Sequence, residues 1–342
     1  MIKHNFFRCI LSVVSGVFIP GFLLAQDIHF SQLEFTPLAL NPALAGANNR
    51  FQGLVNYRSQ WASVVQPFQT AAASFDGRLT KEKNARRGYL AAGVFFFNDN
   101  AGTPRITTTN VNLNLAYHAV IGRKSTFGLG LYTGYGQRAL GDATGRWASQ
   151  YDGFSYNASA LSGEAFDNLS FSYLDAGLGL LYTYGSNAGY ISQNKTRKWN
   201  VGLSFYHVNR PNHSFVGDGL ERLPMRIAGF VNAEIGIQNT VGSFLPGVYF
   251  QTQGSATEIL FGSYYKYSFN SGSKYTAYEK PLSLSIGLFN RWRDAIISRF
   301  LVEWDRYAVG MSYDINTSGL STISAYRGGF EIFLRYSVSK RR

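Results

Sequence analysis

The sequence predicts an all-β protein, a transmembrane up-and-down antiparallel β-barrel of about 14 strands. Composition is the first observation behind it. The chain carries 36 Gly, 22 Tyr, 27 Phe and 5 Trp but only 15% charged residues over 342 positions, where soluble domains carry roughly 25%. The second is alternation. Segments of about 9–14 residues place apolar side chains at every other position, the period of a strand, and such lengths cross a bilayer at a tilt. The third is hydropathy. A mean of −0.10, without an unbroken apolar stretch of about 18 residues beyond Ala25, excludes a bundle of membrane-spanning helices. One Cys and 9 Pro likewise exclude a disulfide scaffold and a collagen-like chain.

Residues 1–25 read as a secretory signal. Lys3 and Arg8 precede an apolar stretch from Cys9, and Leu23-Leu24-Ala25 offers a small residue at the exit. Cys9 is the sole cysteine, so the exported chain would hold no thiol. Residues 26–49 form an N-terminal segment on the periplasmic side, where Asp27–Leu40 can line or plug the barrel mouth. Asn41-Pro42 and Gly46 fit a fixed turn ahead of the first strand.

Residues 50–338 are the barrel. Strands are expected at 50–60, 67–78, 87–97, 106–121, 125–136, 170–184, 197–208, 222–238, 243–252, 256–268, 282–292, 295–304, 306–316 and 328–338. Tyr307, Val309, Met311 and Tyr313 alternate with Ala308, Gly310, Ser312 and Asp314, and Val111, Leu113 and Leu115 with Asn112, Asn114 and Ala116. The second face is expected to hold Gly, Ser, Asn, Glu, Arg and Tyr rather than large aliphatics. In a barrel it would face the lumen, with the apolar face on lipid. Tyr57, Tyr117, Trp199, Trp292, Trp304 and Tyr336 suit interface belts. An even strand number returns both ends to the periplasmic side, so connections such as 61–66, 98–104, 137–169 and 209–221 would be external. Residues 339–342 form a basic tail.

The functional vocabulary is sparse. No HExxH, metal-ligand spacing or GxSxG nucleophile elbow occurs, so catalysis, a metal and a cofactor are not expected. His207 and His213 could meet at a strand end, more plausibly as hydrogen-bonded histidines than as ligands. Gly128-Leu129-Gly130 and Gly134-Tyr135-Gly136 lack the helix that a nucleotide loop needs, and suit close packing in a strand. Arg226, Glu234, Arg299, Glu303, Glu331 and Arg335 fall on inward positions, either as paired braces or as a solvated lining. The formal charge of +12 recurs near strand ends, which favours membrane phosphates or an acidic partner over nucleic acid. Trp147, Tyr151 and Phe154 enrich the longest connection, which could enter the lumen, cap it or grip a protein.

At both ends the sequence becomes specific. Asp27-Ile28-His29-Phe30-Ser31-Gln32, Asn41-Pro42-Ala43-Leu44-Ala45-Gly46, Tyr57-Arg58-Ser59-Gln60-Trp61 and Pro67-Phe68-Gln69-Thr70 stand near the start. Gly202-Leu203-Ser204-Phe205-Tyr206-His207 precedes Arg210-Pro211-Asn212 in the middle. Gly310-Met311-Ser312-Tyr313-Asp314-Ile315-Asn316 and Gly329-Phe330-Glu331-Ile332-Phe333-Leu334-Arg335-Tyr336 close the chain. Together these resemble the PorP/SprF family of type IX secretion systems over about residues 26–338. The resemblance implies a noncatalytic outer-membrane component of protein secretion or gliding motility. Its implied partners are a secreted surface protein or adhesin, held through that protein's C-terminal domain, and periplasmic or outer-membrane secretion and motility components. Outer-membrane lipids surround it, and its external loops lie at the cell surface. Within the matched motifs, Trp61 and Pro67 are expected to brace the first hairpin. Asp314 and Asn316 are expected to satisfy turn backbone near the last one, Glu331 and Arg335 to lie on the inward face, and Tyr313, Arg210 and Asn212 are further candidates for structure or partner binding. A solute-conducting porin is the alternative that the polar inner face suggests.

Overall fold

A computed structural model describes residues 27–61, 66–80, 87–102, 106–141, 148–157, 159–160, 169–186, 194, 196–215, 221–270, 280–319 and 321–338. The expected signal at 1–25, Trp147 and the basic tail at 339–342 lie outside the described residues. Fourteen strands form one closed barrel: β1 (Phe51–Gln60), β2 (Phe68–Arg78), β3 (Gly88–Ala101), β4 (Ile106–Val120), β5 (Ser125–Leu140), β6 (Ser170–Ser186), β7 (Arg197–Tyr206), β8 (Arg226–Gly236), β9 (Gly242–Gln253), β10 (Ala256–Asn270), β11 (Leu282–Arg291), β12 (Ala295–Trp304), β13 (Tyr307–Asn316) and β14 (Arg327–Val338). Each strand pairs antiparallel with its chain neighbours. β1 closes on β14 in a register running from Phe51 opposite Val338 to Gln60 opposite Gly329. Closure leaves no unpaired edge, the condition for a sheet surrounded by lipid. We call the end where β1 begins and β14 finishes the terminal end, and the other the distal end.

The alternation sets which face looks out. Along β13 Tyr307, Val309, Met311, Tyr313 and Ile315 are exposed while Ala308, Gly310, Ser312, Asp314 and Asn316 are buried. β4 repeats this, with Val111, Leu113 and Leu115 outward and Asn112, Asn114 and Ala116 inward. The expected strands differ from the observed ones mainly at their ends. β7 stops at Tyr206 because His207 turns left-handed, with φ of 56°. β8 starts only at Arg226, after Pro224, which cannot donate to a ladder.

The inner face departs from expectation. It carries Leu54, Leu181, Leu260, Ile297 and Leu301, together with Phe95, Phe230, Phe289 and Phe333, all buried. The physical reason is residues 27–47, which run inside the cylinder. Phe30, Leu33, Phe35, Leu38, Leu40 and Leu44 of that segment join those wall residues in one apolar core. Phe35 stacks on Phe333 with ring centroids 3.8 Å apart. A lumen with a resident chain needs apolar wall positions where it meets apolar plug positions.

The segment is compact: turns at Leu33–Phe35 and Pro42–Leu44 flank one helical turn at Pro37–Leu40. Glycines clear its path. A Cβ on Gly130 would stand 2.3 Å from the Ala43 nitrogen, and one on Gly179 would stand 2.1 Å from the Asn41 amide oxygen. Gly46 ends the segment with φ of +62°, where a Cβ would also strike Ala91 at 2.5 Å.

Truncating Phe35 (Phe35→Ala) removes the stacking partner of Phe333 from the middle of this core. The expected cost is about 3–5 kcal/mol. It should appear as a lower unfolding temperature in detergent, read from the heat-dependent shift of the folded barrel on gels.

Candidate functional site

The structure places most of its buried chemistry where the N-terminal segment meets the wall. The arrangement reads from the distal to the terminal end. At the distal end Asp27 lies 2.6 Å from His207 Nε2 and 3.5 Å from Arg226 Nε, and its backbone N–H donates to Gln253 at 2.8 Å. His207 Nδ1 lies 2.8 Å from Asp175, whose carboxylate also accepts from the Tyr132 hydroxyl at 2.5 Å and the Ala176 N–H at 2.8 Å. Burial disfavours charge on His207, but the Asp27 and Asp175 carboxylates outweigh it and push the ring up to about 9. Burial likewise opposes charge on Asp27. The His207 and Arg226 charges prevail and hold its carboxyl well below the ordinary range.

Ser31 comes next, fully buried at the centre of an ionic cluster. Arg58, itself buried, reaches Asp314 at 3.0 Å and Glu331 at 3.1 Å and donates to the Ser31 hydroxyl. Glu331 accepts from the Ser31 and Gln32 backbone N–H groups at 2.6 and 3.2 Å. Arg291 adds a contact to Asp314 at 3.2 Å and one to the Ser31 hydroxyl at 2.8 Å. Arg299 binds Glu34 at 2.8 Å and donates to the Ser31 carbonyl. Nearer the terminal end Asn41 caps the Pro42 turn by accepting from Ala43 N–H at 2.8 Å, and donates to Leu180 and Leu203 carbonyls at 2.9 and 3.2 Å. Gly46 donates to Asp76 at 2.7 Å, and Arg78 donates to the Gly46 carbonyl at 2.8 Å. Buried charges of this kind are tolerable when paired, as Arg58, Arg291, Arg299, Asp314 and Glu331 are, while Asp76 is held by hydrogen bonds alone.

Distal to the plug lies a cavity of about 310 Å³, lined among others by Trp61, Phe68, Phe97, Arg138, Tyr173 and His213. His213 sits in the β7–β8 connection, its ring edge-on to Phe171 and 3.3 Å from Arg138. Burial and the Arg138 charge push it down to about 4. His207 and His213 therefore take separate partners. Among the described residues, no group of three or more His, Cys, Asp or Glu is placed to hold a metal.

A family profile described as type IX secretion system membrane protein PorP/SprF matches residues 23–336. The chain belongs to the PorP/SprF family. It is thus an outer-membrane β-barrel of a secretion-system membrane family, not of a known enzyme family. No curated protein sequence matches it. Among solved structures it is similar to a TodX monoaromatic hydrocarbon channel mutant, at 11% identity over 89% of this chain and 94% of that one, with a TM-score of 0.47. It is also similar to BamA from Haemophilus ducreyi lacking POTRA domains 1–3, at 8% identity over 84% of this chain and 70% of that one, with a TM-score of 0.45.

In this PorP/SprF chain the residues singled out from sequence fall into three groups. Asn41, Pro42, Gly46, Asp314 and Glu331 meet at the plug–wall contact. Asn316 is buried nearby at the last hairpin, donating to Ser324 Oγ and the Arg327 carbonyl, each at 3.2 Å. Arg335 pairs with Glu303 at 2.6 Å, and Glu303 also holds Lys266 at 2.6 Å. Of the six inward charges only Glu303 and Arg335 pair with each other. Glu234 takes Lys198, Arg226 takes Asp27, Arg299 takes Glu34 and Glu331 takes Arg58. At the distal rim Trp61 packs edge-on against Phe68 at 5.0 Å, next to Pro67. Tyr151 bridges Tyr156 across a short hairpin. Phe154 at its tip, Arg210 and Asn212 are exposed, the last bridged to Arg222. Tyr313 faces outward from β13. Ser31, Arg58 and Arg291 carry contacts that the sequence did not single out, and His207 was expected only as a hydrogen-bonded histidine at a strand end. Ser31, Arg58 and His207 stood inside the matched motifs, but pairings across up to 300 residues leave no local signal.

The distal contact predicts a pH dependence. His207 is raised in the folded chain, so its stabilisation is complete below the ordinary histidine value of 6.5 and is lost as pH climbs through about 9. Amide exchange at residues 28–31, corrected for intrinsic rate, should therefore show less protection at pH 10 than at pH 7. A His207→Gln variant should show reduced protection at pH 7 and little further change.

Proposed function

We propose that this barrel is a noncatalytic docking component. It holds a secreted surface protein at the outer membrane, through that protein's C-terminal domain, or links it to the envelope machinery of secretion and gliding. In this reading the terminal end faces the periplasm and the distal connections face outward. The observation that carries it is the filled lumen. Residues 27–47 pack an apolar core against the wall, and Arg58, Arg291 and Arg299 tie that segment to it. A barrel filled in this way offers surfaces rather than a path, so the porin alternative is not favoured.

The distal end supplies a surface of suitable chemistry. Phe154 is 97% exposed at the tip of the Tyr151–Tyr156 hairpin, and Arg210 and Asn212 stand exposed on the β7–β8 connection. Aromatic and Arg side chains dominate binding energy where they become buried by a partner. The expected partner is therefore engaged there. Pull-down of the detergent-solubilised chain should recover a secreted protein or an envelope assembly component. Replacing Tyr151 and Phe154 together by Ser should lower recovery about tenfold or more without altering barrel folding. Unchanged recovery by that variant would count against the hairpin, and recovery of no partner by the native chain would remove the proposal.

Reconstituted in a planar bilayer, the intact chain should show no steady conductance. A sustained open channel carrying solute would favour the porin instead.

A further inference from the structure

The outer rim at the terminal end has a charge pattern that neither the plug nor the distal surface explains. Among the described residues it presents eight exposed cations: Arg50, Arg87, Arg123, Lys124, Arg197, Lys198, Lys280 and Arg306, of which Lys198 pairs with the half-buried Glu234. Asp305 is the one exposed carboxylate there, 3.7 Å from Lys280. The distal end carries exposed Arg210, Arg222, Arg293 and Arg327 against exposed Asp152 and Glu221. Both ends carry an excess of cations, and it is much the larger at the terminal end.

Its layout matters more than its size. The cations precede β1, lie in the β2–β3, β4–β5, β10–β11 and β12–β13 connections, and open β7. They thus recur around the circumference instead of clustering on one side. Exposed aromatic residues stand at the same ends of the strands: Tyr117, Tyr182, Trp199, Trp304, Tyr307 and Tyr336. Two of them meet rim cations directly. Lys280 lies 5.1 Å from the Trp304 ring centroid, and Arg306 donates to the Tyr336 hydroxyl at 3.3 Å. A globular protein partner would be met by a patch on one side. Only a planar leaflet meets a cylinder at every azimuth, and it does so with headgroups beside an aromatic girdle.

We infer that the terminal-end rim is a ring-shaped site for anionic phospholipid headgroups, of the phosphatidylglycerol class. Each exposed Arg or Lys close to an anionic surface contributes a modest attraction, and several together give a preference over zwitterionic lipid. The ring also fixes the axial position of the barrel, because its cations lie beyond the aromatic belt on one side only. The assignment agrees with the orientation proposed above but does not depend on a secreted partner, so failure of either leaves the other standing.

The test uses the full mature chain in detergent, titrated with phosphatidylglycerol or phosphatidylethanolamine of matched acyl chains and read by native mass spectrometry. Phosphatidylglycerol should be retained at least about fivefold over phosphatidylethanolamine, and 500 mM ammonium acetate, an ionic strength of about 0.5 M, should largely erase the difference. The triple variant Arg87→Gln, Arg123→Gln, Arg197→Gln should lose most of the preference. The distal triple Arg210→Gln, Arg222→Gln, Arg293→Gln should keep it. Folding of both is checked by heat-dependent gel migration, and Arg50→Gln with Arg306→Gln gives an independent second variant. Equal retention of the two lipids overturns the inference. So does a loss caused equally by the distal triple, or a stronger preference for lipid A phosphates. Undiminished preference in both rim variants would leave the ring to an acidic protein partner, and overturns it too.

Discussion

Closure of β1 on β14 is the constraint from which the rest follows. Lipid offers backbone groups no partner, so the sheet must complete itself, and fourteen tilted strands then enclose an interior that side chains from the wall alone do not fill. This chain fills it with the residues immediately preceding β1. The same stretch that would otherwise be a solvated leader becomes the core. Hence the inward Leu54, Leu181, Ile297 and Phe333, which would be unfavourable in a water-filled pore, are buried against Phe35, Leu38 and Leu40. Burying a Leu or Phe side chain contributes about 1.5–3 kcal/mol, so six such plug residues supply a substantial driving force for occupancy. The sheet and the plug are mutually dependent: each gives the other its apolar partner.

The charged groups serve a different purpose. Placing Arg58, Arg291 and Arg299 in a narrow interior is costly, and buried ion pairs rarely repay that cost as stability. What they provide is geometry. Arg58 bridges Asp314 and Glu331 while touching Ser31, and Glu331 accepts two consecutive backbone N–H groups. A one-residue slip of the segment would break the Ser31 contacts and leave several of these charges unpaired. The apolar core favours a filled lumen in general, whereas the ionic cluster selects one register of filling. This division explains why Ser31, with a small side chain, sits at a convergence of three guanidinium groups.

Much of this architecture was legible in the sequence because barrel strands repeat a simple rule. β13 and β4 alternate cleanly, and their boundaries were set by where that alternation stopped. The family membership was legible in the motifs at the two ends. The interior was less so. Alternation says which residues point inward but not what they will meet, so Leu54 and Ile297 broke the expected polar inner face. The end of β7 was obscured because His207 adopts a left-handed backbone that its carboxylate partners hold in place. Asn41 and Gly46 were recognisable as turn residues from local chemistry. The pairing of Ser31 with Asp314 was not, since it joins opposite ends of the chain through a fold that no local pattern specifies.

The plug is held unevenly, and the unevenness has a direction. At the terminal end it is anchored covalently through residues 47–50 into β1, and Gly46 admits no side chain there. Further along it is held by the apolar core and by the Ser31 cluster. At the distal end the hold rests mainly on Asp27, with His207 as its titratable partner, and both line the vestibule that faces the exposed connections. The Asp27–His207 pair thus borders the cavity and depends on a ring whose charge is lost as pH climbs through about 9.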